Sequence, residues 1–268
     1  MNTHIQRWLT ALVAVPALVV VLSFGGERLF GLLIVLVIVA GTFEYHRLVF
    51  GKAFISEKIQ GTVLAVVFPT VFYVGDAHQV LAILTLALLA VFLLGLPRIS
   101  GDHPDSLPVM KVIFGCCYLP LTLSHFIWLR RGDEGVLWIY LVIVLAFSGD
   151  VAAYYIGRAW GRRKLLPQVS SGKTVEGTLA LMVGSTVCCV LYSQFLLPGM
   201  AWWQAAILGL TGSALGQLGD LCESVIKRAS GAKDSGGMLP GHGGILDRLD
   251  CLIFIVPYVY YYRQAFLA

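Results

Sequence analysis

The chain has 268 residues, of which 58% are hydrophobic and 13% are charged, and its mean hydropathy is +0.82. Soluble domains contain about 45–50% apolar and about 25% charged residues, so this composition argues against a soluble enzyme, a disordered chain and a secreted scaffold. The formal net charge of +4 is too small to indicate nucleic-acid binding. The class that remains is an integral membrane protein.

Nine apolar runs are interpreted as membrane spans, which need about 17–25 residues each. The third run is short, and the first resembles a signal peptide but shows no cleavage-site pattern before Glu27, so both are kept as spans. The sequence therefore predicts an all-α polytopic membrane protein with about nine transmembrane helices. The runs lie near residues 9–24, 29–50, 61–74, 79–96, 107–129, 136–156, 175–197, 202–221 and 249–266.

The basic residues indicate which side of the membrane each loop faces. Nine spans place 15 of the 19 Lys and Arg residues on one side, and the other four are Arg28, Arg130, Arg131 and Arg263. Cytoplasmic loops carry an excess of Lys and Arg, so we expect the N-terminus and the even-numbered loops to be cytoplasmic. The aromatic residues at 202–203 and 258–262 then lie at the opposite interface as anchors.

Ionisable residues divide the chain into two regions. Residues 1–135 form an N-terminal region of about five spans with almost no ionisable groups in their interiors, and residues 136–268 form a C-terminal catalytic region with cytoplasmic motifs. The six cysteines form no C-x-x-C pair and nearly all lie in apolar runs. We interpret them as small buried hydrophobic residues rather than as a disulfide framework or a zinc site.

Two cytoplasmic connections, residues 148–177 and 216–250, are unusually polar and rich in glycine. In the second connection, Asp220, Glu223, Ser224 and Lys227 recur at i, i+3, i+4 and i+7, so on a helix they form one polar stripe. Such a stripe is costly against lipid and should face a cavity or the interior of the helix bundle.

The rest of the second connection adds acidic and glycine residues. Asp247 and Asp250, three residues apart, predict a second acidic edge at the start of the last span. Six glycines between Ser230 and Ile245 let backbone N–H groups approach an anion closely. Two acidic edges beside a basic, glycine-rich loop predict a site for Mg²⁺ and a polyphosphate. The alternative is that the basic residues reflect topology alone and the acidic ones are solvated pairs, an alternative with more weight in the first connection.

Other motifs are set aside. Residues 172–174 read Gly-Lys-Thr like the end of a P-loop, but Pro167 stands where a P-loop requires glycine, so a Walker nucleotide site is rejected. His242 is interpreted as a phosphate contact, with a base or a loop-ordering residue as alternatives. Glu44, Tyr45 and His46, at the end of the second run, are interpreted as an interface feature rather than a catalytic one.

The second connection carries a dense set of fixed positions: Ser224, Lys227-Arg228, Lys233-Asp234, His242-Gly243-Gly244 and Asp247-Arg248-x-Asp250. They match every position of a signature, and the chain here resembles the phosphatidate cytidylyltransferases, or CDP-diacylglycerol synthases. The first connection also resembles the family, except that Ser171-Gly172 stand where it usually has Pro-Lys. The matching residues there are Asp150, Ala153, Tyr154, Gly157, Arg158, Lys173, Thr174, Glu176 and Gly177.

The resemblance implies the reaction CTP + phosphatidate → CDP-diacylglycerol + pyrophosphate in phospholipid biosynthesis. It also implies a multispan helical bundle, commonly a homodimer, whose site uses Mg²⁺, with a second cation as a further possibility. CTP, phosphatidate in the cytoplasmic leaflet and membrane lipid are the expected partners, and nucleic acid is not. We expect a bacterial inner membrane, because the sequence shows no long soluble extension, and a site that faces the cytoplasm.

Charge and position then suggest residue roles within the implied reaction. The predicted metal ligands are Asp220, Asp247, Asp250 and Glu223. The predicted catalytic residues are Asp220, Lys227, Asp247, Arg248 and Asp250. The predicted substrate and phosphate contacts are Lys173, Ser224, Arg228, Lys233, Asp234, His242, Gly243 and Gly244.

Two other functions are compatible with a polar site in a membrane protein. A CTP-dependent lipid-alcohol kinase, of the polyprenol kinase type, would attack the γ-phosphorus and release CDP instead of pyrophosphate. A non-enzymatic transporter would use the polar stripe to line a permeation path, which predicts polar residues in mid-membrane on several helices. The polar residues of this chain concentrate at one face and in two connections, which favours a surface enzyme.

Overall fold

The computed structural model describes residues 3–100, 104–238, 241 and 243–267, with only the backbone described for residues 3–11. The described residues are mainly helical. The helices are α1 (Thr3–Phe24), α2 (Gly26–Phe50), α3 (Ile55–Val74), α4 (Ala77–Ile99), α5 (Leu107–Cys116), α6 (His125–Arg131), α7 (Gly135–Phe147), α8 (Gly149–Trp160), α9 (Val175–Leu196), α10 (Trp202–Ala229), α11 (Leu246–Leu249) and α12 (Leu252–Phe266).

Six helical stretches among the described residues are long and apolar enough to cross a membrane, which confirms an all-α polytopic membrane protein. The other three predicted spans correspond to α1, α10 and α12, which are not among these six stretches. The total of nine spans and the cytoplasmic N-terminus therefore stay predictions. Two of the six stretches combine consecutive helices: α5 and α6 are joined through a π-helical turn, and α7 is followed directly by α8. The six are Gly26–Phe50, Ile55–Val74, Ala77–Ile99, Leu107–Arg131, Gly135–Trp160 and Val175–Leu196.

The third span is longer than its apolar run predicts, because α3 begins at Ile55 rather than near residue 61. Its first turns contain Glu57, which is 5% exposed. The guanidinium of Arg98 lies 2.7 Å from a carboxylate oxygen of Glu57 and stacks over the ring of Phe54. Pairing compensates the buried charge, so the helix continues through a segment that a search for apolar runs leaves out.

A short antiparallel hairpin in the first connection departs from the all-α prediction. Strands β1 (Lys164–Leu166) and β2 (Ser170–Thr174) pair with Leu166 opposite Ser170 and Lys164 opposite Thr174. The carboxylate of Glu176 accepts hydrogen bonds from the backbone N–H groups of Arg162 and Arg163, at 3.1–3.3 Å. The strands have only three and five residues, and neither shows the alternation of apolar and polar residues by which a strand is recognised in a sequence.

The chain divides into two compact units, the first comprising Met1–Trp128 with Asp234–Asp247 and the second comprising Leu129–Lys233 with Arg248–Ala268. The sequence division at residue 135 follows chain order. The structure instead assigns part of the second connection to the first unit. In the second unit α8, α9, α10 and α12 pack closely, with α9 in contact with both α8 and α10.

Candidate active site

The polar stripe of the second connection lies on one continuous helix, α10, as its spacing predicts. Glu223 is 0% exposed and Ser224 is 9% exposed, while Asp220 and Lys227 are half-buried. The stripe therefore faces the packed interior of the second unit rather than lipid. This orientation avoids placing ionised groups in hydrocarbon and concentrates them at one place.

Three carboxylates form a cluster in the second unit. One oxygen atom each from Asp220, Glu223 and Asp250 lies within 4.8 Å of the others. Gly219 makes this approach possible, since a Cβ at that position would overlap the carbonyl oxygen of Asp250. Oxygen ligands at this spacing suit a hard cation such as Mg²⁺, which is usually held by carboxylates, substrate phosphates and water. The donor set therefore fits the predicted metal.

Two lysines accompany the three carboxylates, which leaves an excess of negative charge in the cluster when all five groups are ionised. Lys173 forms an ion pair with Asp220, and Lys227 pairs with Glu223 one helical turn away. The hydroxyl of Ser224 donates to Asp220 over 3.5 Å, which is a long and weak hydrogen bond. The structure thus brings together five residues that the sequence assigns to the site (Asp220, Glu223, Asp250, Lys173 and Lys227), with Ser224 beside them.

Asp250 lies in the turn between α11 and α12, before the helix of the ninth predicted span begins and outside the six stretches long and apolar enough to cross a membrane. Burial, and secondarily the negative charge of Asp220, raise the pKa of Asp250 to about 6. A carboxyl group with this pKa is partly protonated near neutral pH, whereas a bound cation favours the ionised form. The cluster is therefore electrostatically suited to bind a cation.

The sequence predicts that Asp247 and Asp250 share one helical edge, but the structure separates them. Helix α11 covers only Leu246–Leu249, and α12 begins at Leu252. The carboxylate of Asp250 accepts a hydrogen bond from the N–H of Cys251 at 2.7 Å. Such a local side-chain bond competes with helical hydrogen bonding and accounts for the break between the two helices.

The hairpin of the first connection carries Lys173 on β2, directly before α9. Thr174 caps α9 by accepting a hydrogen bond from the N–H of Gly177 at 3.1 Å. The side chain of Lys164 donates to the carbonyl of Ser171 at 2.7 Å and braces the strand pair. Several residues of the first connection thus fold the segment that places Lys173 beside Asp220.

Arg228 makes contacts that differ from its predicted contact with phosphate. Its guanidinium donates to the carbonyl of Val169, in the turn of the hairpin, at 3.3 Å and to the carbonyl of Ala232 at 3.2 Å. These bonds connect the end of α10 with the hairpin. The predicted phosphate contact of Arg228 stays a prediction.

Asp150, on α8, is one of the residues by which the first connection resembles the family. In the structure it interacts electrostatically with Asp220, Lys173 and Arg248. Its position within the first matching segment, directly after an apolar run, is the signal that points to it. Arg248 itself is exposed on α11.

The remaining predicted site residues lie in or near the segment Asp234–Asp247. The carboxylate of Asp247 accepts hydrogen bonds from the backbone N–H groups of Ser235, at 3.1 Å, and of Gly244, at 3.0 Å. Asp247 therefore orders this segment, and its role as a metal ligand stays a prediction. Gly243 has a φ of +83°, which favours glycine. Lys233 and Asp234 are exposed, Gly244 is buried, and His242 lies outside the described residues.

Comparison with known proteins shows which protein family this chain is similar to. A family model described as "Cytidylyltransferase family" matches residues 5–266. The phosphatidate cytidylyltransferase of Synechocystis is 33% identical over 288 aligned positions, covering 96% of this chain and 95% of the relative. That of Bacillus subtilis is 36% identical over 156 residues, and the match spans 58% of each chain. An Escherichia coli protein named "Uncharacterized protein YnbB" is 35% identical over 78% of this chain and 76% of its own length.

The chain belongs to the cytidylyltransferase family, and the family predicted from the two connections is confirmed.

Proposed function

We propose that this protein is a phosphatidate cytidylyltransferase, which transfers CMP from CTP to phosphatidate and yields CDP-diacylglycerol and pyrophosphate. Membership of the family and relatives that carry this name support the reaction. The structural observation that carries the proposal is the buried cluster of Asp220, Glu223 and Asp250 with its two lysines. A reaction between two phosphate-bearing substrates needs such a site, where a cation and ammonium groups neutralise their charge.

Asp220, Glu223 and Asp250 are the residues that would hold Mg²⁺, with a second cation as a further possibility. Bound Mg²⁺ supplies positive charge that polarises a phosphoryl oxygen and offsets the repulsion between anionic substrates. Glu223 belongs to this set because it is fully buried and lies beside the other two carboxylates. Its ion pair with Lys227 fixes its orientation from the next turn of α10.

The transfer requires little proton chemistry from the protein. A phosphate oxygen of phosphatidate is already anionic and forms the new bond to the α-phosphorus of CTP, while the bond from that phosphorus to the oxygen bridging to the β-phosphate breaks. The electron pair of that bond leaves with pyrophosphate. Catalysis is therefore mainly alignment and neutralisation of charge. Lys173 and Lys227 supply the ammonium groups, and each sits at a carboxylate of the cluster before substrate binds.

The cellular arrangement is also part of the proposal. The excess of basic residues in the even-numbered loops supports a cytoplasmic N-terminus and a site that faces the cytoplasm. We further propose a location in a bacterial inner membrane, supported by the bacterial relatives, together with a homodimeric state and uptake of phosphatidate from the cytoplasmic leaflet.

A labelling experiment distinguishes this reaction from the kinase alternative. Purified protein receives Mg²⁺ and CTP labelled at either the α- or the γ-phosphorus, together with phosphatidate or a polyprenol in matched vesicles. We expect the α-label to enter lipid only with phosphatidate, with release of one pyrophosphate per lipid labelled. Transfer of the γ-label to the polyprenol, with release of CDP, would replace the proposal by a lipid-alcohol kinase.

A further inference from the structure

Glu44, near the end of α2, makes contacts with a distant part of the chain inside the first unit. Its side chain is buried, with the residue 1% exposed. One carboxylate oxygen, Oε2, accepts a hydrogen bond from the hydroxyl of Ser235 at 3.0 Å and another from the backbone N–H of Leu246 at 2.9 Å. The partners lie 191 and 202 positions further along the chain, on either side of the glycines of the signature.

Ser235 connects Glu44 with Asp247. Its hydroxyl donates to Glu44 and accepts a hydrogen bond from the backbone N–H of Asp247 at 3.3 Å. Its own backbone N–H donates to the carboxylate of Asp247 at 3.1 Å. Ser235 is 4% exposed, so these bonds form away from water. The two ends of the segment are thereby fastened to each other and to α2.

Two glycines of the segment pack directly against the Glu44 carboxyl group. A Cβ at Gly236 would lie 2.7 Å from Cδ of Glu44, and a Cβ at Gly244 would lie 2.9 Å from the same atom. Both distances are shorter than side-chain carbons tolerate, and neither glycine has a positive φ. The absence of a side chain is therefore explained at Gly236 by the space that Glu44 occupies, and at Gly244 by Glu44 together with the hydroxyl of Ser235, which a Cβ there would overlap.

Hydrogen bonds join the end of α2, which carries Glu44, to α5. The hydroxyl of Tyr45 donates to the carbonyl of Lys111 at 2.9 Å. The ammonium of Lys111 donates to the carbonyl of Val49 at 2.9 Å and lies over the ring of Phe50. A side chain anchored on a braced helix can hold a binding loop more closely than a neighbouring loop could.

We infer that Glu44 is a positioning residue, which holds the two described ends of the signature segment, residues 235–236 and 244–246, in place for substrate binding. Gly236 and Gly244 lack side chains in order to admit the Glu44 carboxylate. The inference rests on the proposed function and on the phosphate contacts that the sequence predicts for His242, Gly243 and Gly244. It assigns a role in that reaction to a residue of α2 that lies outside both glycine-rich connections.

The test combines kinetics with hydrogen exchange on the purified full chain. Glu44→Ala is expected to raise the KM for CTP by about 10- to 100-fold, because a small displacement of a binding group costs about that much. Its KM for phosphatidate should change little. Exchange should accelerate at the amides of Leu246 and Asp247. Glu44→Gln keeps the shape of the side chain and one acceptor oxygen, so we expect a smaller rise in the KM for CTP and a smaller increase in exchange. This variant replaces Glu44→Ala in the test if the alanine variant does not fold.

A double-variant comparison separates positioning from general destabilisation. Gly236→Ala should reproduce the effect of Glu44→Ala because its methyl group displaces the segment from the carboxylate. The double variant should raise the KM for CTP no more than the more severe single variant does. The carboxylate of Glu44, with which a methyl group at position 236 collides, is absent from the double variant. Glu57→Gln is the matched control: it also neutralises a buried glutamate of the first unit, but that glutamate pairs with Arg98 instead of contacting the segment.

Several outcomes would overturn the inference. Independent, multiplying effects of Glu44→Ala and Gly236→Ala would do so, as would unchanged exchange at Leu246 and Asp247. An equal rise in the KM for CTP in Glu57→Gln would assign the effect to loss of folding stability. If the unaltered protein transfers no CMP, the proposed function fails, but the exchange comparison still decides whether Glu44 holds the segment.

Discussion

Glu44 in the first unit and Glu223 in the second are equally buried, at 1% and 0% exposure, yet their neighbours differ. Glu44 meets a hydroxyl and a backbone N–H, both neutral donors supplied by the same segment. Glu223 lies beside two further carboxylates and pairs with Lys227. Burial alone therefore does not identify a reactive carboxylate. A single carboxylate with neutral donors organises the chain, whereas a cluster of like charges is stable only with cations and so favours a cation-binding site.

The first prediction compares Glu223→Gln with Glu44→Gln, and Glu223→Gln has the largest expected effect of all the variants. Glu223→Gln should lower the kcat for CMP transfer by about 10²–10³-fold, as does loss of one group that stabilises the transition state. Glu44→Gln should act on the KM for CTP instead. Steady-state kinetics at saturating Mg²⁺ measures both.

Glu223→Gln also removes the buried ion pair of Glu223 with Lys227. Asp220→Asn is therefore made as a second variant of the cluster, because the side chain of Asp220 is partly exposed to solvent. A kcat within about twofold of the unaltered protein in both variants would remove the cluster from the mechanism, since the expected loss is far larger.

Next in size is the effect of Lys173. Lys173→Met should lower the kcat for CMP transfer by about 10- to 100-fold, because it removes one of the two ammonium groups that neutralise phosphate charge and a partner that orients Asp220. Lys164→Met is the control, because Lys164 lies on the same hairpin but donates to the backbone carbonyl of Ser171. Titration of activity with Mg²⁺ measures the difference, and equal losses in the two variants would point to the hairpin fold rather than to the cluster.

The cluster should also make stability depend on cations and pH. The pKa of Asp250 rises from 3.8 to about 6 on folding, so without a divalent cation this group favours the folded state at low pH. That contribution is lost as the pH rises from about 4 through about 6. Added Mg²⁺ should therefore raise the unfolding temperature more at pH 7.5 than at pH 5.

Thermal unfolding in detergent, with and without EDTA, measures this linkage. Asp250→Asn removes the titrating group and should flatten the pH dependence. If Mg²⁺ stabilises the protein equally at both pH values, Asp250 does not lose a proton when the cation binds.

The smallest expected effect concerns Arg228. Its observed hydrogen bonds go to backbone carbonyls, each worth about 0.5–1.5 kcal/mol, so Arg228→Ala should lower activity by less than about tenfold and leave the KM for CTP unchanged. Arg162→Ala, at an exposed residue before the hairpin, is the control. A marked rise in the KM for CTP in Arg228→Ala alone would instead support the phosphate contact that the sequence predicts.

Local periodicity predicted much of the fold and of the candidate site. The spacing of Asp220, Glu223 and Lys227 predicted one face of one helix, and α10 presents them so. Apolar length predicted nine spans, and six stretches of the described residues have membrane-spanning length and composition, with a boundary error where charge is paired, as at Glu57 and Arg98. Both signals are local, because they depend on residues within a few helical turns of each other.

Contacts between distant parts of the chain were not predictable in this way. Nothing in the apolar sequence around Glu44 indicates that its partners lie about two hundred positions later, so it was interpreted as an interface residue. Nor does the spacing of Asp247 and Asp250 show that one orders a segment of the first unit while the other joins a cluster in the second. The hairpin that carries Lys173 was also missed, since its strands of three and five residues have no alternating pattern.

The long separation between Glu44 and Ser235 also bears on the biogenesis of the protein. The ribosome adds about 5–20 residues per second, so the 191 positions between them take on the order of 10–40 s to synthesise. During that interval α2 has been synthesised, but Ser235 and Leu246, which donate hydrogen bonds to Glu44, have not. An ionised carboxylate is not buried without partners. Until these donors are made, the carboxylate of Glu44 therefore has to be solvated by water. The first unit reaches its final packing only when the last part of the chain has been made.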